Sequence, residues 1–355
     1  MKRRILSAAL ALAGAIGAYA VLAAALISFD RSLGLVDTEL LITRLVLVAI
    51  AAAGFSVVAA GANSLRHALR ARRLADTDLH EARVAAEDAK DAIWWVVGLG
   101  LTSLVVAFLA IFLSANDGAV RDTFFQWHYF GLGFESLLRA FWLNIKLFLV
   151  AEVFVLIWGL VVAIARLLPG KAGAPVRFLA VAYTDLFRGM PAVMVIYLTV
   201  FGLGLAKLPI IDQLSRDQQR FWLPVLALTL VYGAYVAEVY RSGLESIHWS
   251  QTAAARSLGL NHVQTLRFVI VPQAVRRIVP PLLNDFIGLQ KDTALLAFVG
   301  VVEVFNQSTL LKSKYFNLTP VIAAGLLFVV ITIPMARFTD YLVRRDQARM
   351  RAGGT

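Results

Sequence analysis

Apolar residues in this chain come in long runs, and short polar segments separate one run from the next. A helix that is apolar on every face belongs in lipid, and about 20 consecutive apolar residues cross a bilayer core about 30 Å thick. The runs predict about eight membrane spans, near residues 5–29, 40–62, 93–113, 137–165, 178–205, 222–240, 278–300 and 319–343. Lipid offers backbone groups no hydrogen-bond partners, so helices are expected here rather than a barrel, and the fold class is an all-α integral membrane protein. The first run admits a second reading. Met1 to Ala20 has a basic start, an apolar stretch and a small-residue site at Ala18-Tyr19-Ala20, as a cleaved signal peptide would. The run continues through Val21 to Phe29, which suits an uncleaved anchor, and downstream topology is the same either way.

Two polar segments in the first third carry their own expectations. Asn63 to Ala92 is rich in Arg, Ala, Glu and Asp, has no Pro or Gly, and places Glu87 and Asp91 one turn apart. It predicts one solvated helix, a charged connector between two spans or a regulatory contact. Ser114 to Glu135 reads as an outer loop whose Phe124, Phe125, Trp127, Tyr129 and Phe130 form an interfacial aromatic belt.

Composition agrees with the span pattern: 59% of residues are apolar and 16% charged, with a mean hydropathy of +0.74. An ordinary soluble domain is excluded. The formal charge of +11 raises nucleic acid as a partner, but the distribution of the basic residues answers it. Lys2, Arg3, Arg4, then Arg66, Arg70, Arg72, Arg73, then Arg166, Lys171, Arg177, then Arg241, Arg256, Arg267, Arg276, Arg277, and Arg344, Arg345, Arg349 all fall in alternate segments. The opposite segments carry few, among them Arg31, Arg121, Lys207, Arg216, Arg220, Lys312 and Lys314. The positive-inside rule therefore predicts cytoplasmic termini and contact with anionic membrane lipid, and no nucleic acid is needed. With no cysteine and five scattered histidines, neither a disulfide framework nor a metal site is signalled, and no cofactor is expected.

The informative motifs lie after about Phe134. Ser250-Gln251-Thr252-Ala253-Ala254-Ala255-Arg256-Ser257-Leu258-Gly259 predicts a helix that Gly259 stops, and Asn261 begins a second segment that Pro272 is expected to limit. Small residues on such a helix let a partner approach its backbone, and an ordinary loop helix is the alternative that the composition equally allows. The segment resembles the coupling loop of binding-protein-dependent ABC permeases: Glu-Ala-Ala, three residues, Gly, nine residues, an aliphatic residue, one more, then Leu-Pro. Ala254, Ala255, Gly259, Val269 and Pro272 fall in register, Val271 takes the Leu position, and Ala253 stands where the family usually has Glu. Asp185-Leu186-Phe187-Arg188-Gly189-Met190-Pro191, Ala234 to Gly243, Pro280 to Ile287 and Lys291-Asp292-Thr293 add to the likeness, which is with the histidine, glutamine and glutamate permeases.

The resemblance covers about the last 220 residues. It implies a five-helix permease core over 131–345 with its coupling loop at 241–277, a three-span extension over 1–130, and a basic tail over 346–355. It implies a path for polar amino acids into the cytoplasm at the interface with a second permease subunit, as a homo- or heterodimer. It also implies substrate delivery by an extracytoplasmic binding protein and docking of two ATPase subunits, Gln251, Ala253, Ala254, Ala255, Arg256, Leu258, Gly259 and Pro272 forming the coupling contact. No Gly-Lys-Ser/Thr phosphate loop occurs in the chain, so the permease itself is not an enzyme and hydrolysis belongs to the partner.

Polar groups inside the spans are costly and point to function. Asn284 and Asp285 are candidates for the path, where amide and carboxylate meet a substrate ammonium; pairing at the dimer interface, with Lys291 or Asp292 snorkelling, is the alternative. Arg188-Gly189-Met190-Pro191 predicts a kink in span five, as a gate in the path or as packing. Glu238 and Arg241 have the spacing of a helical ion pair, whereas Lys146 and Glu152, six apart, do not. The alternative function, a secondary amino-acid transporter, predicts internal repeats, and none relates the first three spans to the last five. The sequence leaves open which amino acid is carried and what the extension does.

Overall fold

The computed structural model describes residues 2–32, 38–116, 118–206 and 208–352, and the described residues are overwhelmingly helical with no strand. Of the positions discussed above, Met1, Lys207 and residues 353–355 lie outside them. Six helices are long and apolar enough to cross a membrane, and eight spans result if two bent helix pairs each count as one. The chain divides into two compact units, Met1–Gln126 and Trp127–Thr355.

The first unit contains α1 (Lys2–Ser32), α2 (Thr38–Gly54), α3 (Ser56–Leu74), α4 (Leu79–Ser114) and the short α5 (Ala119–Phe124). Small residues set its packing. A β-carbon on Gly61 of α3 would lie 3.0 Å from the Leu12 backbone of α1, so the two helices touch almost backbone to backbone. The expected single helix over residues 63–92 is instead a hairpin. α3 carries its span's axis on to Leu74, the chain turns through Ala75–Asp78, and α4 returns. Asp78 causes the turn: its carboxylate accepts the His80 and Glu81 amides at 2.9 and 3.0 Å, an N-cap that starts a new helix. Nor is the segment simply solvated. Ala68 and Ala71 of α3 and Ala82, Ala85, Ala86 and Ala89 of α4 are buried, and Arg70–Glu81 (3.3 Å) and His67–Asp88 (3.7 Å) join the outer faces.

The second unit begins with α6 (Trp127–Arg166), 40 residues and about 60 Å long at 1.5 Å per residue, so it overruns the bilayer core. Trp127, Tyr129 and Phe130 sit on its first turns, and the expected outer loop is thus mostly helix, α5 and the start of α6. Next come α7 (Ala174–Gly189), α8 (Ala192–Tyr197), a π-turn at Leu198–Gly202, and the short α9 (Leu203–Leu205) and α10 (Pro209–Asp212). α11 (Arg216–Glu245) follows, then α12 (Trp249–Ser257), α13 (His262–Thr265), a π-turn at Leu266–Ile270, α14 (Val271–Asp292), α15 (Val304–Tyr315) and α16 (Thr319–Ala352). α11 is the central post: 67% of its apolar window is buried, against 11% for α16. Leu147, Ala151 and Val155 of α6 pack on Val225, Leu228 and Val231 of α11, with Ile196 of α8 and Leu289 of α14 closing the core.

Two spans are broken where the sequence demands it. A residue before proline is driven out of the α region, and Met190 before Pro191 is extended (φ −92°, ψ 142°). α7 and the helical segment Ala192–Leu205 that α8 begins consequently meet at 108°, a far sharper change of direction than a kink. The seventh span ends as a 3₁₀ turn at Thr293–Val299, and a bend of 51° leads into α15.

Candidate coupling loop and transport path

The segment after α11 is a compact helical elbow. His248 caps α12, its Nδ1 accepting the Ser250 amide at 3.3 Å. At the other end Gly259 adopts φ +83°, the left-handed region, and the Gly259 and Leu260 amides donate to Arg256 and Ala255 carbonyls at 3.0 and 3.2 Å. This is the Schellman closure that a glycine at that position permits. Asn261 opens α13 with a capping box, exchanging bonds of 2.9 Å with Gln264. Pro272 does not limit the second segment. It lies in the first turn of α14, where proline's missing amide costs nothing, and the helix runs on to Asp292. Ile247, Ile270, Ala274 and Ile278 bury the base of the elbow, and Arg277 donates to the Ser246 carbonyl, tying α14 to the end of α11.

The rim of the elbow is apolar and bare. Leu258 is 83% exposed, Trp249 73% and Val263 70%. Gln251, Ala253, Ala254 and Arg256 are exposed beside them, whereas Ala255 is 4% exposed and packs inward. Ala255 therefore sets the fold of the loop and offers a partner little surface.

Polar groups expected along the path separate into two places. Arg188, at the end of α7 just before the break, lies 3.6 Å from Glu238 of α11 and over the Tyr235 ring. Glu238 also binds Arg166 of α6 at 2.5 Å and Arg241, which in turn binds Glu245. The expected Glu238–Arg241 pair is thus one side of a hub that joins three helices. Deeper in α14, Asn284 is exposed, and Asp285 is half-buried with its Oδ2 buried and unbonded. Lys291 is exposed, Asp292 accepts the Tyr232 hydroxyl at 2.8 Å, and Lys146 stands over the Trp142 ring without an ion pair to Glu152. Pro191 caps α8 and touches none of these polar groups by hydrogen bond.

The most completely buried polar cluster is one that reading along the chain passes over. Asn144 of α6 donates to Thr293 Oγ1 at 3.0 Å and to Glu303 Oε2 at 2.9 Å, and its Oδ1 accepts the Val304 amide at 3.0 Å. Glu303, fully buried, also accepts the Phe305 and Asn306 amides at 2.9 and 2.8 Å and so caps α15. A lone Asn inside the apolar run 137–165 is the signal for it. Among the described residues, no group of three His, Cys, Asp or Glu side chains is arranged to hold a metal.

Helices long and apolar enough to cross a membrane, two of them broken, one of these beside a polar hub, describe a multi-pass membrane protein. The profile described as "Binding-protein-dependent transport system inner membrane component" matches residues 155–346, more than half of the chain. The chain belongs to that family, as a multi-pass permease of the inner membrane. It is 31% identical over 230 residues to the glutamate/aspartate import permease protein GltK of Escherichia coli, across 62% of this chain and 98% of the relative. With the glutamate transport system permease protein GluC of Corynebacterium glutamicum it shares 37% identity over 202 residues, 56% and 84% of the two chains. A crystal structure of an amino acid ABC transporter with histidines superposes with a TM-score of 0.53 at 28% identity, covering 59% of this chain and 93% of that one.

Proposed function

We propose that this chain is the permease subunit of an ATP-driven importer for polar amino acids, with acidic, glutamate-like substrates favoured by the relatives it is similar to. Two ATPase subunits dock on the elbows of two permease subunits, and an extracytoplasmic binding protein delivers the substrate. The observation that carries the docking is the bare apolar rim: Trp249, Leu258 and Val263 expose large side chains on a rigid, well-capped support. Ala253 brings only a methyl group to this rim, and Glu245 is already held by Arg241. Apolar contact around Leu258 therefore does most of the holding. Closing of the ATPases moves the elbow, and the tie from Arg277 to Ser246 passes that movement to α11 and α14. The hub at Glu238, next to the break before Pro191, is where α11 meets the bent span, and Arg188 beside that break with Asn284 and Asp285 on α14 are the groups offered to the path.

Co-purification tests the docking surface. Leu258→Asp buries an unpaired carboxylate at the centre of the contact and should cut recovery of the ATPase at least tenfold, while Ala253→Glu leaves it within about twofold. Equal recovery with Leu258→Asp and the parent protein would put the docking surface elsewhere on the chain. Uptake of labelled glutamate, glutamine, arginine and histidine by the reconstituted complex identifies the substrate.

A further inference from the structure

The first unit holds a hollow with no role in the transport scheme above. It lies between α1, α3 and α4 at the end where the N-terminus emerges, and has a volume of about 250 Å³. Its walls are methyl groups, among them Ala68, Ala71 and Ala86, with Leu79 at the edge. Arg4 of α1 and Arg83 of α4 border it, and among the described residues neither guanidinium has an ion-pair or hydrogen-bond partner. Across the same hairpin Arg70 is paired with Glu81, so acidic side chains are at hand and are not directed here.

The height of the hollow in the membrane narrows its ligand. Arg4 immediately precedes the apolar run that starts at Ile5, and α4 becomes apolar at Ala92. Arg83 lies nine residues before that point, about 13 Å at 1.5 Å per residue, and the polar headgroup layer extends several ångströms beyond the hydrocarbon core. Arg4 thus stands at the headgroup layer and Arg83 several ångströms outside it, positions from which long basic side chains reach toward lipid phosphates. A free inorganic anion would need polar donors all round, and the alanine walls supply none. A phosphate attached to an apolar body suits both parts of the site, since guanidinium groups bind phosphate through paired N–H donors while the methyl walls take the glycerol and upper acyl carbons.

We propose that this hollow binds the phosphodiester headgroup of an acidic phospholipid in the leaflet facing the N-terminus, and that the three-span extension is a lipid-binding module. The purified full-length protein, in phosphatidylcholine nanodiscs, is titrated with fluorescent phosphatidylglycerol. One saturable site per chain is expected. Arg4→Gln with Arg83→Gln should weaken it about 25-fold, at roughly 1 kcal/mol or fivefold for each cation. The control pair Arg66→Gln with Arg72→Gln removes the same charge from exposed positions on the same hairpin and should change it less than threefold. All four positions are exposed, so the fold is retained, which helical circular dichroism verifies. Equal weakening by both pairs would reduce the effect to general surface charge and overturn the site. Competition by millimolar inorganic phosphate would show that the hollow takes the free anion, and an equal affinity for phosphatidylcholine would show that it does not select acidic lipid; either result overturns the proposal.

Discussion

Asn144 is a single amide in an apolar helix, yet it holds three segments together through Thr293, Glu303 and the Val304 backbone. In lipid-facing protein an unpaired polar group has no water to turn to, so the cost of removing one member is the cost of stranding the others. Asn144→Leu leaves the Val304 amide without an acceptor and takes one donor from a buried carboxylate. A loss of about 2–4 kcal/mol is expected, readable as earlier unfolding in mixed detergent and denaturant. A change below about 0.5 kcal/mol would mean the cluster is dispensable. Glu303→Gln should be milder, because the amide keeps one oxygen acceptor for the helix cap. The cluster shows what can be read from a chain at this scale. A polar residue in an apolar run announces that it has a partner, whereas the partner lies about 160 residues away and nothing in the local sequence selects it. Glu238 repeats the lesson: its neighbour Arg241 is visible from helical spacing, but Arg166 and Arg188 come from other helices.

At the scale of an element, proline, glycine and capping residues decide where helices stop, and they do so differently in different contexts. Gly259 ends α12 in the left-handed region with no neighbouring atom within 4 Å of where a β-carbon would stand. Any penalty of substitution is therefore backbone strain rather than collision. Gly259→Val, β-branched, should strain the closure by about 1–3 kcal/mol, and Gly259→Asn, which tolerates this region, by much less. The expected result is uptake reduced at least fivefold for the valine variant with normal membrane insertion, and near-normal uptake for asparagine. Equal uptake by both would remove the turn from the coupling mechanism. The turn was legible because glycine has one dominant reason to follow an alanine-rich helix. Pro272 was not, because a proline reads the same whether it ends one helix or sits in the first turn of the next; only the preceding π-turn, which lets the chain run straight into α14, separates the cases. The charged hairpin was hidden for a related reason: without Gly or Pro at the turn, the sole mark of α4's start is Asp78 with Glu81 three residues on.

For the whole molecule the number of crossings decides which side each segment faces, and the two bent pairs make that number a question. If α7 with α8 entered and left the membrane on one side, α11 would run in the opposite sense. The elbow, with Arg256, Arg267, Arg276 and Arg277, would then lie across the membrane from Arg166, Lys171 and Arg177. Such an arrangement splits the basic residues between both faces, against the retention of Lys and Arg on the cytoplasmic side. If the bent pair crosses, all the basic segments share one face, and the same holds for α14 with α15 before α16 returns. Eight crossings with both termini in the cytoplasm are expected on this ground. A reporter active only in the cytoplasm should work when inserted at Thr77 in the turn between α3 and α4, or after Leu258 in the elbow. It should fail after Asn116 or at Ser215, just before α11. Activity at Ser215 with none at Leu258 would make the α7–α8 pair a re-entrant loop, and it would place the elbow on the face where no ATP is available to a docked partner.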